Sequence, residues 1–193
     1  MNYLGHLYFS NNDLDLMHAN LLGDFVKGKD LSAFSPTQQK GIILHRKIDD
    51  FMAKHSAVKV ISKTLSPSLP KVAPIALDVY FDHFLALHWM RYHTQQLDDF
   101  LAAFYAHPLQ SNEYTNQQFQ TLIQNMKTHQ WMNQYANLYA VDRACSFLAT
   151  KLSFANQLGQ GRTVLEQNYT EVEQAFFAYM LDAKVYFEQE GWE

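Results

Sequence analysis

Acids and histidines in the first half of the chain recur at intervals that a helix converts into shared faces. His45 and Asp49 are four residues apart, as are Asp78 and Asp82. At this interval two side chains sit one turn above each other, so each pair can offer two convergent donors. Asp24 follows Asn20 at the same interval, and His83 adjoins Asp82. Imidazoles mixed with carboxylates suit a hard or borderline divalent cation such as manganese or magnesium. A single cysteine, Cys145, excludes a cysteine-rich zinc centre and an internal disulfide alike.

Each reading has a plainer competitor. Taken alone, His45 with Asp49 reads as a solvated pair or a local hydrogen bond, and His6 in an apolar start as a core histidine bonded to backbone. Asp78 and Asp82 are harder to set aside, because they interrupt the apolar run from Ile75 to Leu85. Like charges one turn apart resist burial unless a cation or hydrogen bonds compensate. His18, His55, His93, His107 and His129 read as packing or surface residues.

Helices must position these groups, since apolar residues recur at helical spacing and strand-like alternation is scarce. Leu14, Met17, Leu21 and Phe25 mark one amphipathic helix that stops at Gly28. Ser35-Pro36-Thr37-Gln38 combines an N-cap serine, a proline in the first turn and a glutamine three residues after the cap. The helix it starts is expected to run past His55. Pro67, Pro70 and Pro74 mark a connection, after which Val72 to His93 reads as a second long helix. Leu97, Phe100, Leu101 and Phe104 continue the pattern up to Pro108. Further stripes are Phe119, Leu122, Ile123 and Met126, then Met132, Tyr135, Leu138 and Tyr139. Beyond Gly159 and Gly161 lies a last helix with Val172, Phe176, Phe177 and Met180. The reading is an all-α fold of about seven helices in a single domain over residues 1–193, without internal repeats.

Composition removes several function classes. At 193 residues, 48% of them hydrophobic, the chain can bury a core and is not disordered. No stretch approaches the roughly 18 apolar residues a spanning helix needs. A formal charge of −4 argues against general nucleic-acid binding, where a basic surface supplies most of the affinity. The start, Met1-Asn2-Tyr3-Leu4-Gly5-His6, lacks the basic and apolar segments of a signal peptide, so a cytoplasmic protein is expected.

Four segments, in order, carry a resemblance. They are Asn2-Tyr3-Leu4-Gly5-His6-Leu7; Asn20-Leu21-Leu22-Gly23-Asp24-Phe25-Val26-Lys27-Gly28; Gly41-Ile42-Ile43-Leu44-His45-Arg46-Lys47-Ile48-Asp49; and Ala73-Pro74-Ile75, Leu77-Asp78-Val79, Asp82-His83-Phe84-Leu85 with His88-Trp89. As a set they resemble the acyl carrier protein phosphodiesterase family of bacteria, which is similar to an unorthodox branch of the HD phosphohydrolases. The resemblance implies an HD-like helical bundle that hydrolyses the phosphodiester between 4′-phosphopantetheine and a serine of holo acyl carrier protein. It also implies a divalent ion, preferably manganese, with Asp24, His45, Asp49, Asp78 and Asp82 as the ligand pool. The bound water would become hydroxide and attack phosphorus. His6 or His83 would protonate the leaving serine oxygen, and Arg46 would neutralise phosphate charge. By itself Arg46 is equally well a surface ion pair.

One departure from the ordinary HD pattern is that no histidine is followed directly by aspartate, while Asp82-His83 has the reverse order. The ligand expectation therefore rests on the positions of the acids, with Asp78 and Asp82 facing inward toward His45 and Asp24. Because the carrier protein is acidic, Lys27, Arg46, Lys47 and Arg91 are expected to guide its docking. Two other function classes stay open at this level: a metal phosphohydrolase acting on a nucleotide, and a non-enzymatic helical binding protein.

Overall fold

The computed structural model describes residues 1–109 and 114–192. Among these the fold is all-α, with ten α-helices: α1 (Tyr3–Tyr8), α2 (Leu14–Leu21), α3 (Pro36–Lys54), α4 (Ser56–Leu65), α5 (Ala73–Leu87), α6 (Leu97–Ala106), α7 (Gln117–His129), α8 (Leu138–Lys151), α9 (Gly161–Gln167) and α10 (Tyr169–Gln189). None is long and apolar enough to cross a membrane.

The local signals act where the sequence puts them. Asp13 caps α2 by accepting from the Leu16 amide at 3.0 Å. Ser35 and Gln38 form a reciprocal capping box that opens α3, with Pro36 in its first turn. These contacts satisfy amide donors that a helix start leaves without internal partners.

Several expected helices are divided. The one after Pro36 ends at Lys54, because His55 takes an extended conformation (φ −62°, ψ 134°) and α4 sets off in a new direction. The His55 imidazole meets Asp182 of α10 at 3.1 Å, and the buried stripe Val58, Ile61 and Leu65 belongs to α4 alone. The helix expected from Val72 to His93 stops at Leu87, followed by a 3-10 turn, Trp89–Arg91. Trp89 Nε1 donates to the Gln95 carbonyl at 2.9 Å, which ties the chain back on itself. The first stripe likewise changes at Leu22, where a 3-10 turn, Leu22–Phe25, carries Asp24 off the axis of α2. These breaks, with the short α1 and α9, account for ten helices instead of about seven.

Helix α5 is the centre of the molecule. Ala76, Leu77, Tyr80, Phe81, Phe84 and Leu85 have no solvent exposure, and a helix apolar on all sides is one that is surrounded. Helices α2 and α3 cross at Gly41, where a side-chain carbon would come within 2.6 Å of the Asn20 nitrogen and collide with Ala19. Only glycine permits that approach, which brings Asn20 and Asp24 up against the face of α3 that bears His45 and Asp49.

Candidate metal centre between α1, α2 and α3

Three elements deliver four side chains to one place. His6 comes from α1, Asp24 from the turn after α2, and His45 and Asp49 from successive turns of α3. The rings of His6 and His45 stack, 4.2 Å between centroids and 16° from parallel. Asp49 faces both, with Oδ1 3.4 Å from His6 Nε2 and Oδ2 3.2 Å from His45 Nε2. Asp24 Oδ1 is 3.3 Å from the same nitrogen of His45. One donor atom each from His6, His45 and Asp49 falls within a 4.8 Å group. Both imidazoles are buried, while the carboxylate side chains are more than half exposed, 54% for Asp24 and 53% for Asp49. The cluster thus has a dry floor and a wet mouth.

Backbone and side-chain contacts fix how His6 presents itself. Asn20 Nδ2 donates to the His6 carbonyl at 2.9 Å and to Ser10 Oγ at 3.1 Å, so the Asn20 oxygen must be the atom that meets His6 Nδ1, at 2.9 Å. An amide oxygen only accepts, hence Nδ1 carries the proton. Burial holds the His6 pKa below its ordinary value despite Asp49, so the ring is neutral near pH 7 and Nε2 bears a lone pair. That lone pair confronts a carboxylate oxygen.

His45 is poised differently. Burial pulls its pKa down, but the adjacent Asp24 and Asp49 carboxylates outweigh that and bring it up to about 9. For Asp49 burial works upward, and the hydrogen bond from His45 overrides it to leave the carboxyl well below the usual range. His45 Nδ1 is buried without a hydrogen-bond partner. The ring fits only because residue 23 is glycine: a side-chain carbon there would collide with Cβ and Cγ of His45.

A cavity of about 330 Å³ adjoins the cluster. His6, Asp24 and Asp49 line one part, and Met52, Val58, Ile75, Val79 and Leu148 supply an apolar wall. Tyr3 also borders it, its hydroxyl pKa pushed up to about 12 by burial and by Asp24 and Asp82.

The remaining expected residues are distributed around this centre. Asp78 lines the cavity from α5 and accepts from the Met1 amino group at 3.0 Å. Asp82 is buried, but its two oxygens accept from the backbone amides of Leu4 (2.7 Å) and Gly5 (3.1 Å). Hydrogen bonds to the start of α1 therefore compensate its burial, and it supports His6 from beneath rather than joining the four-residue cluster. Burial pushes its pKa up to about 7, against the Met1 amino group and those two amides. His83 is held by the Tyr135 carbonyl (Nδ1, 2.8 Å) and the Tyr169 hydroxyl (Nε2, 3.1 Å) and does not line the cavity. Arg46 Nη2 donates to the Val26 carbonyl at 3.2 Å and pins the chain two residues past Asp24. Lys47 pairs with Glu190, Arg91 lies over the Phe177 ring at 4.6 Å, and Lys27 is exposed. Sequence reasoning noted Asn20 one turn before Asp24 but missed its hold on His6. The signal was present only as a buried asparagine in an apolar helix.

Comparison with known proteins agrees with this geometry at the level of family. The family described as acyl carrier protein phosphodiesterase matches residues 1–183. Proteins named acyl carrier protein phosphodiesterase are similar over nearly the whole chain. The one from Yersinia enterocolitica is 31% identical over 180 residues, 93% of each chain. Those from Serratia proteamaculans and Photorhabdus laumondii are each 29% identical, over 93% and 94% of each chain respectively. No solved structure is significantly similar. A match spanning all four residues of the cluster and the cavity beside them means that this chain belongs to the acyl carrier protein phosphodiesterase family.

Proposed function

We propose that the chain hydrolyses the phosphodiester linking 4′-phosphopantetheine to the serine of holo acyl carrier protein, with a divalent cation, manganese by preference, held by His6, His45, Asp49 and Asp24. Family membership supports the substrate. The cation is supported by one observation above the others: one donor atom each from His6, His45 and Asp49 converges within 4.8 Å, with His6 Nδ1 committed to the Asn20 oxygen so that Nε2 is the atom turned to Asp49. The donors fit manganese or magnesium in kind, two imidazoles and two carboxylates with no thiolate.

When bound, such a cation supplies Lewis acidity toward a phosphoryl oxygen and a water acidic enough to ionise near neutral pH. The chain's own residues do the rest. Asn20 keeps the accepting nitrogen of His6 aimed at the centre, as hydrogen-bonded partners do for ligating histidines. Being neutral, His6 suits binding better than protonation of the leaving serine oxygen. Asp24 and Asp49, half in solvent, can accept a hydrogen bond from an attacking water and set its direction. The apolar wall from Met52 to Leu148 offers the pantetheine arm a dry surface, leaving its phosphate at the polar part.

The test is to incubate the protein, stripped by a chelator and resupplied with manganese, with holo carrier protein and to weigh the carrier protein by mass spectrometry. Loss of the phosphopantetheine mass, abolished by chelation and restored by manganese, is the expected result. A full rate in chelator ends the metal reading. Hydrolysis of nucleotides with an intact holo carrier protein ends the substrate reading.

A further inference from the structure

Helix α8 buries Val141 and Cys145 and leaves the other side open. On that side Tyr139, Arg143, Phe147 and Lys151 follow one another at four-residue steps, a single stripe along the helix. The two aromatics are 58% and 60% exposed, the most exposed large aromatic side chains among the described residues. Lys151 Nζ stands 4.8 Å over the Phe147 ring and the Arg143 guanidinium 6.0 Å from that of Tyr139. Neither cation pairs with a carboxylate among the described residues, so both are available to a partner. Exposed aromatics beside unpaired cations are the composition of a binding surface, not of an ordinary solvated face.

Its position ties it to the site. Leu148 follows Phe147 and lies three residues before Lys151, and Leu148 lines the cavity beside the histidine–aspartate cluster. The Lys151 end of the stripe, one turn from Leu148, therefore lies beside the cavity wall. A substrate whose phosphodiester reaches the cluster while its protein body stays outside must rest on the surface next to this opening.

We propose that the α8 stripe docks the protein part of the substrate, through an acidic surface that also carries apolar side chains; this rests on the reading of the substrate as a carrier protein. Arg143 and Lys151 meet its carboxylates, and Tyr139 and Phe147 pack on the apolar positions between them. Charge selects this occupant over a second copy of the chain, because a twofold contact through the stripe would set its cations against themselves. Of the basic residues expected earlier, Lys47 is engaged by Glu190 and Arg46 by the Val26 carbonyl, while Lys27 and Arg91 are exposed and can add to the same attraction.

The experiment is steady-state kinetics on holo carrier protein with the Arg143→Glu/Lys151→Glu double variant and, separately, Phe147→Ser. All three positions are exposed, so the fold should persist, as circular dichroism would verify. A KM raised about tenfold with unchanged kcat, the loss for the charge reversal shrinking in high salt, supports the surface. An unchanged KM, or a fall in kcat alone, overturns it. A wild-type dimer that the reversal dissociates gives the stripe to a second copy and also overturns it. If wild-type protein leaves holo carrier protein intact, the substrate reading fails first and the docking surface falls with it.

Discussion

Asn20 decides the protonation of His6 before any ligand arrives: its side-chain nitrogen is committed to the His6 carbonyl, so its oxygen holds the proton on Nδ1. Asn20→Leu should therefore weaken manganese binding, since His6 could then turn or change tautomer. The expected loss is about 10–100-fold in affinity, the range seen when such orienting partners are removed. Titration calorimetry with manganese reads it directly. Unchanged affinity would show that His6 needs no orientation, and would weaken its assignment as a ligand.

Gly23 offers a sharper steric test. A methyl group at this position collides with the His45 ring, while one at Gly159 meets nothing within 4 Å. Gly23→Ala should abolish turnover and most metal binding, and Gly159→Ala should leave both intact. Equal activity in the two variants would mean that His45 can leave its seat without consequence, which is incompatible with a role at the centre.

Asp82 separates a support from a ligand. Its carboxylate accepts from Leu4 and Gly5, so Asp82→Ala strands two buried amides at the start of α1 and should destabilise the fold by about 1–3 kcal/mol for each unsatisfied group. Asp82→Asn keeps one good acceptor and should lie between. If Asp82 acts only through α1, the asparagine variant retains manganese affinity within a few-fold while its denaturant midpoint drops. A complete loss of bound metal in a folded Asp82→Asn protein would return this residue to the ligand set.

How much of this was legible beforehand follows from what a sequence encodes. Capping at Ser35 and the four-residue interval of His45 and Asp49 are local relations, and both act in the structure as helical geometry requires. The all-α character follows equally from periodicity. The break at His55 was invisible, because residue 55 turns the chain through contacts with Asp182 and Tyr179, more than 120 residues away. The relation of Asp82 to α1 was hidden for the same reason. The sequence shows that an acid amid Tyr80, Phe81 and Phe84 needs compensation, but not whether a cation or two backbone amides from the chain start provide it. Arg46 and Lys47, neighbours in sequence, end up tied to Val26 and Glu190, and nothing local to them announces either partner.

The last prediction concerns acid stability and is read at His18, outside the candidate site. His18 is 1% exposed, its Nε2 has no hydrogen-bond partner, and its ring contacts Phe104, His107 and Tyr114. Burial, aided by Lys127 and His107, pulls its pKa down from 6.5 to about 3, so the folded protein holds it neutral. The unfolded chain takes up a proton at ordinary histidine pH, and the folded chain does not. Unfolded molecules thus bind more protons between pH 6.5 and about 3, and stability falls as pH drops through that window. His18→Leu removes the group that must charge on unfolding, and it leaves an apolar side chain in an apolar place. Urea midpoints at pH 7 and pH 5 provide the measurement: the difference between them should be smaller in His18→Leu than in the wild type, with little change at pH 7. An identical pH dependence in both proteins would mean that His18 is protonated in the folded state and that its buried surroundings stabilise the charge.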